Sequence, residues 1–136
     1  MSATTYNSPS APNSLFVYGT LMKGESRHAH LEGGGIVAIT PASISGELLD
    51  MGEYPALRLS SHGNSRVHGE LIEFEALDKI IADVDDEEGP GFRREVVNVT
   101  LDDGRSHFAW TYVIASDLGH KRVIESGRWR ERAASA

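Results

Sequence analysis

The predicted fold class is α+β: a mixed, mostly antiparallel sheet, read as a β-barrel with flanking helices. Three observations lead there. Short β-favouring runs recur between turns rich in Gly, Pro, Asn and Asp. One segment alone carries a convincing helical period. The chain of 136 residues is long enough for one domain with a single core and one concave site.

Taken in order, residues 1–14 read as a flexible polar tail, 15–130 as the domain, and 131–136 as a second tail. Leu15-Phe-Val-Tyr18 is a buried strand entering a tight turn at Gly19. A short helical stretch over 24–31 is closed by Gly33-Gly-Gly35. Two strands, 36–39 and 43–49, are expected on either side of Pro41, and a third over 56–59, followed by the polar loop 60–65. Val67 to Phe74 makes a strand in which neither face is cleanly apolar. Residues 76–88 form the amphipathic helix, with Leu77, Ile80, Ile81 and Val84 at i, i+3, i+4 and i+7, ended by Gly89-Pro-Gly91. A hairpin follows, 94–101 and 107–115, turning at Asp102-Asp-Gly104.

Composition excludes several functions. No run reaches the roughly 18 apolar residues that a membrane span needs. The N-terminal segment lacks the basic and apolar regions of a secretory signal, so a cytoplasmic location is expected. Cysteine is absent, which removes thiolate nucleophiles and cysteine metal sites. A formal charge of −7 argues against nucleic acid as a partner, because phosphate binding draws on clustered Lys and Arg. Lys121, Arg122, Arg128, Arg130 and Arg132 read as a solvated charged end. The six histidines are scattered, and no metal site is expected.

At about 100° per residue, Glu88 points the same way as Leu77, Ile81 and Val84. Asp85, Asp86 and Glu87 point elsewhere and can stay in water. Burial, neighbouring carboxylates and the helix C-terminus would each raise the pKa of Glu88, which suits proton transfer near neutral pH. The phase leaves a second reading open, in which the last turn frays and Glu88 is solvated. Calcium binding by the alternating Asp83, Asp85 and Glu87 fails, because Glu88 and Arg94 occupy the places where an EF-hand needs Gly and Glu.

The turn Tyr18-Gly19-Thr20-Leu21 leaves backbone N–H groups unpaired and able to hold an anion, with Gly19 permitting close approach; taken alone, such a turn is more often just a turn. Glu70 can assist a pocket or pair with an arginine, and Tyr54 sits in ordinary Tyr-Pro turn chemistry.

Four ordered stretches carry a resemblance: 15–24, 44–57, 67–71, and 84–89 with Phe92-Arg-Arg94; Ser126-Gly-Arg-Trp129 adds a closing segment. Together they resemble the γ-glutamyl cyclotransferase-like superfamily, in particular its short branch containing γ-glutamylamine cyclotransferase. The resemblance implies a β-barrel, no cofactor, and one essential Glu at the position of Glu88. It implies that Tyr18, Gly19, Thr20 and Leu21 hold a small-molecule γ-glutamyl substrate through backbone amides. Gly52 and Tyr54 resemble a second pocket loop. Phe92 departs from the family pattern, where a Tyr often stands. The implied reaction is ring closure by the substrate's own α-amine, giving 5-oxoproline and a free amine. The rival reading is a non-catalytic small-molecule-binding or regulatory module on the same fold.

Overall fold

The structure, a computed structural model, describes residues 12–60, 65–115 and 122–135, the last three of these by backbone alone. Strand β1 (Ser14–Val17) is buried at every position, so it has no wet face and must lie between neighbours. It does: β4 (Arg66–Phe74) flanks it antiparallel and β6 (Ser106–Ile114) flanks it parallel. β2 (Ile36–Asp50) pairs with β4, and β5 (Phe92–Leu101) pairs with β6. The ring closes where Ala42 and Ser43 of β2 meet Leu101 and Thr100 of β5. The result is a five-stranded barrel, β2-β4-β1-β6-β5, with every pairing antiparallel except β1–β6. Its core joins Leu15, Val67, Leu71, Val99 and Ala109 with Leu31, Val84 and Trp129 from outside the strands.

The far half of β2 leaves the barrel. It pairs with β3 (Pro55–Leu59) on one side and with β7 (Arg122–Val123), a strand the sequence did not announce, on the other. Pro41 does not divide β2 as expected. Its carbonyl accepts the Asp102 N–H at 3.3 Å on the β5 side, where its own N–H would also have pointed. The ladder to β4 therefore runs unbroken through Pro41–Glu70.

The expected helix over 76–88 is two pieces. A 3-10 turn, Leu77–Lys79, precedes helix α1, Ile81–Glu88, which Gly89 ends with φ of 80°. Asn13 explains the start. Its side chain accepts the Leu77 N–H at 3.0 Å and donates to Phe74 O at 2.6 Å. Residues 12–14, expected in the tail, are thus part of the domain, whereas 1–11 lie outside the described residues. The helical stretch expected over 24–31 begins later, as a 3-10 helix at His28–Gly34 closed by Gly35 in the left-handed region.

The C-terminal end is likewise tied down. Trp129 is 1 % exposed and opens a 3-10 helix, Trp129–Ser135, and the Arg132 guanidinium stacks on its ring. Arg122 pairs with Asp50, Arg128 with Glu131, and Arg130 with Glu25, so these cations, read as free in solution, brace the surface instead. Lys121 lies outside the described residues. Among the described residues no helix is long and apolar enough to cross a membrane, and no cluster of metal-ligating side chains is present.

Candidate active site

β1 ends at Val17, and the chain then folds over the barrel mouth. Gly19 O accepts the Met22 N–H at 3.0 Å, and Thr20 O accepts the Arg27 N–H at 2.8 Å. Those bonds use the carbonyls of the turn. The N–H groups of Gly19, Thr20 and Leu21 donate to no protein acceptor among the described residues. A row of such amides is a ready site for an anion or a polarised carbonyl.

These amides line a cavity of about 380 Å³ with Phe16, Val17, Tyr18, Arg27, Tyr54, Pro55, Glu87, Glu88, Phe92 and Tyr112. Glu88 enters from the last turn of α1. Four residues after buried Val84, it inherits that inward direction, and its side chain is only 10 % exposed. Arg27 Nη2 lies 2.7 Å from Glu88 Oε2. The two side chains form an ion pair at the cavity wall. Burial pushes the Glu88 carboxyl above its ordinary range; Arg27 pulls it back in part, and Glu87 and Asp85 push it further up.

The neighbouring carboxylates are not simply solvated, as their helical phase had suggested. Asp85 takes a two-pronged contact from Arg94, at 2.8 and 3.1 Å, and the Tyr112 hydroxyl at 2.6 Å. Arg94 in turn lies over the Trp110 ring. Glu87 accepts from His30 Nδ1 at 2.5 Å and from Arg27 at 3.4 Å. Asp86 is exposed. Tyr18 is buried, and its hydroxyl donates to Tyr112 O at 2.7 Å. Burial first, and the Glu88 charge second, drive the Tyr18 pKa upward, so this hydroxyl stays protonated.

Of the residues singled out in the sequence, Tyr18, Gly19, Thr20, Leu21, Tyr54 and Glu88 meet at this one cavity. Gly52 and Glu70 do not line it. Gly52 turns the β2–β3 connection, with φ of 102° and its N–H on Asp50 Oδ1. Glu70 sits behind the loop, where Oε1 accepts the Lys23 N–H at 2.8 Å. Arg130 donates to Lys23 O, so the two hold the amide-bearing loop from outside the cavity. Gly19 carries a packing constraint as well: a Cβ there would stand 2.5 Å from Pro55 Cγ, so the Pro55 ring itself demands glycine. Phe92 and Tyr54 form a tilted ring pair at the cavity, with centroids 6.1 Å apart. Arg27 and Tyr112 were missed by sequence reasoning, because neither belongs to a local pattern and each reaches the site from a distant part of the chain.

Residues 15–131 match the family described as Gamma-glutamyl cyclotransferase, AIG2-like. The Gamma-L-glutamyl-butirosin B gamma-glutamyl cyclotransferase of Niallia circulans is 38 % identical over 112 residues, 78 % of this chain and 69 % of that protein. YkqA from Bacillus subtilis superposes with a TM-score of 0.71 at 27 % identity, covering 90 % of this chain but 42 % of that longer one. An AIG2-like protein from Mus musculus shares the fold, with a TM-score of 0.64 at 23 % identity, over 81 % of this chain and 82 % of that one. A barrel mouth carrying one buried carboxylate beside a row of open amides, together with these matches, makes the chain a member of the gamma-glutamyl cyclotransferase, AIG2-like family.

Proposed function

We propose that the protein cyclises a γ-glutamyl amide to 5-oxoproline and releases a free amine, with Glu88 as general acid and base. The observation that carries this reading is the Glu88 carboxylate: buried at a cavity wall, raised in pKa, and facing the same space as the open amides of Gly19, Thr20 and Leu21. A carboxylate tuned upward is a better proton carrier near neutral pH than an ordinary one.

Glu88 takes a proton from the substrate's α-ammonium. The freed amine forms a bond to the side-chain carbonyl carbon, and the C=O pair moves onto oxygen. Collapse restores the carbonyl and breaks the bond to the amide nitrogen. The α-nitrogen gives up two protons in all and the leaving nitrogen gains two, so Glu88 shuttles both and ends as it began. Because the nucleophile arrives with the substrate, the chemistry needs no cofactor and no reactive serine or cysteine. The open amides of Gly19, Thr20 and Leu21 hold the γ-glutamyl group in the folded conformer that brings amine and carbonyl together. Tyr54 and Phe92 stand where the leaving amine emerges, and Glu70 contributes through the loop rather than by touching substrate. The Niallia circulans relative, whose name specifies a γ-glutamyl-bearing small molecule, supports a substrate of that class here.

The test is a panel of γ-glutamyl amines and dipeptides incubated with the purified protein, with 5-oxoproline and amine both quantified. The reading expects the two products in equal amounts from at least one member. If no member yields either product, the non-catalytic binding module replaces it.

A further inference from the structure

A γ-glutamyl group carries two opposite charges on one carbon, the α-ammonium and the α-carboxylate. The cavity wall carries two opposite charges in contact, Arg27 and Glu88. Building on the cyclisation reading above, we propose that Arg27 receives the substrate's α-carboxylate and that binding exchanges partners. The guanidinium passes from Glu88 to the substrate carboxylate, and Glu88 passes to the substrate ammonium.

Three features of the site support the exchange. First, one nitrogen of the guanidinium is shared between two carboxylates: Arg27 Nη2 lies 2.7 Å from Glu88 Oε2 and 3.4 Å from Glu87 Oε1, so Glu87 can keep a hold on Arg27 when Glu88 lets go. Second, the guanidinium has capacity to spare. Its one hydrogen bond runs from Nη2 to Glu87 Oε1 at 3.4 Å, while Nε and Nη1 donate to no protein acceptor among the described residues. A planar fork with two free prongs matches a carboxylate. Third, Arg27 is the single basic side chain among the residues lining the cavity, and the nearby Arg94 is already committed to Asp85.

The exchange has a mechanistic consequence. Paired with Glu88, Arg27 restrains the base by opposing the effect of burial on its carboxyl. Once the substrate carboxylate shares that positive charge, Glu88 becomes the stronger base at the moment an ammonium lies beside it. Arg27 would thus select for a free α-carboxylate and place the amine on the base in one step.

The experiment compares a γ-glutamyl amide with its α-carboxamide counterpart, using wild type, Arg27→Gln and Arg27→Lys. Wild type is expected to prefer the free carboxylate by on the order of 10²-fold in kcat/KM, the size expected when a desolvated charge loses its partner. Arg27→Gln should abolish that preference, and Arg27→Lys should restore part of it, having the charge without the fork. A folded Arg27→Gln variant that keeps the preference overturns the inference while leaving the cyclisation reading intact. A second readout does not depend on turnover: calorimetric binding of 5-oxoproline against 5-oxoprolinamide to wild type and Arg27→Gln. If no substrate is cyclised, the cyclisation reading fails and this binding pair alone decides. Preference for the acid, lost in Arg27→Gln, supports Arg27 as the carboxylate receptor; equal binding of the two by wild type overturns it.

Discussion

The backbone of Gly19 packs so closely on the ring of Pro55 that a Cβ at position 19 would stand 2.5 Å from Pro55 Cγ and 2.6 Å from Cδ. A proline ring cannot swing aside as a long side chain can. Gly19→Ala must therefore displace the amide-bearing turn or the start of β3. The expected outcome is a loss of about 1–3 kcal/mol in urea unfolding. With the amides misplaced, kcat/KM should fall by on the order of 10². Unchanged stability and activity together would show that the contact is not a constraint.

The Tyr18 hydroxyl is engaged with Tyr112 O and burial drives its pKa upward, so it is expected to take no part in proton transfer. Tyr18→Phe should cost about 1 kcal/mol, because it leaves a buried carbonyl without its donor. It should leave the shape of the pH–rate profile unaltered. A profile that loses one limb would assign Tyr18 a chemical role.

Asp85 ties three elements together, holding Arg94 of β5 and Tyr112 of β6 from α1. Asp85→Asn keeps the size but removes the charge that both partners use. Both members of the ion pair, Arg94 and Asp85, are partly exposed, which screens it, so the expected destabilisation is about 1–2 kcal/mol, measured by chemical denaturation. Tyr112 lines the cavity, so a fall in kcat/KM should accompany it. Wild-type activity at reduced stability would confine Asp85 to a structural role.

Glu88 makes the folded protein's stability depend on pH in a specified direction. Its folded-state pKa is raised above the ordinary value of 4.5, so its contribution is fully present below that value and is lost as pH rises through the raised one. Above that raised value the ionised carboxylate opposes folding, and Glu88→Gln should melt higher than wild type in the alkaline range. The difference should vanish as pH falls below the ordinary carboxylate range. Should Glu88→Gln melt lower in the alkaline range, the pairing with Arg27 outweighs burial and the raised pKa is wrong.

The features legible in the sequence were those set by local pattern. The buried run at Leu15–Val17, the hairpin turn at Gly104 and the inward phase of Glu88 relative to Val84 each follow from periodicity or turn chemistry. Phase held only within α1, since the 3-10 turn at Leu77–Lys79 breaks the register with Leu77. What was not legible depends on tertiary neighbours. Pro41 is tolerated because its missing N–H faces away from the β4 ladder, a fact about sheet order that no local window contains. Asn13 is held in the domain by the backbone of Phe74 and Leu77, and Asp85 and Glu87 are claimed by Arg94, Tyr112, His30 and Arg27. The family resemblance named Glu88 but not the arginine beside it, which only the folded loop brings there.

The most direct test of the central claim is the rate of 5-oxoproline formation by Glu88→Gln against wild type, on the best substrate of the panel, with folding verified by circular dichroism. A glutamine of the same size cannot carry the proton, and the account predicts a folded variant whose kcat is lower by about 10²–10⁴-fold. A folded variant that forms 5-oxoproline within about threefold of the wild-type rate, far less than loss of a proton carrier should cost, would contradict the account and move the proton transfer elsewhere in the cavity.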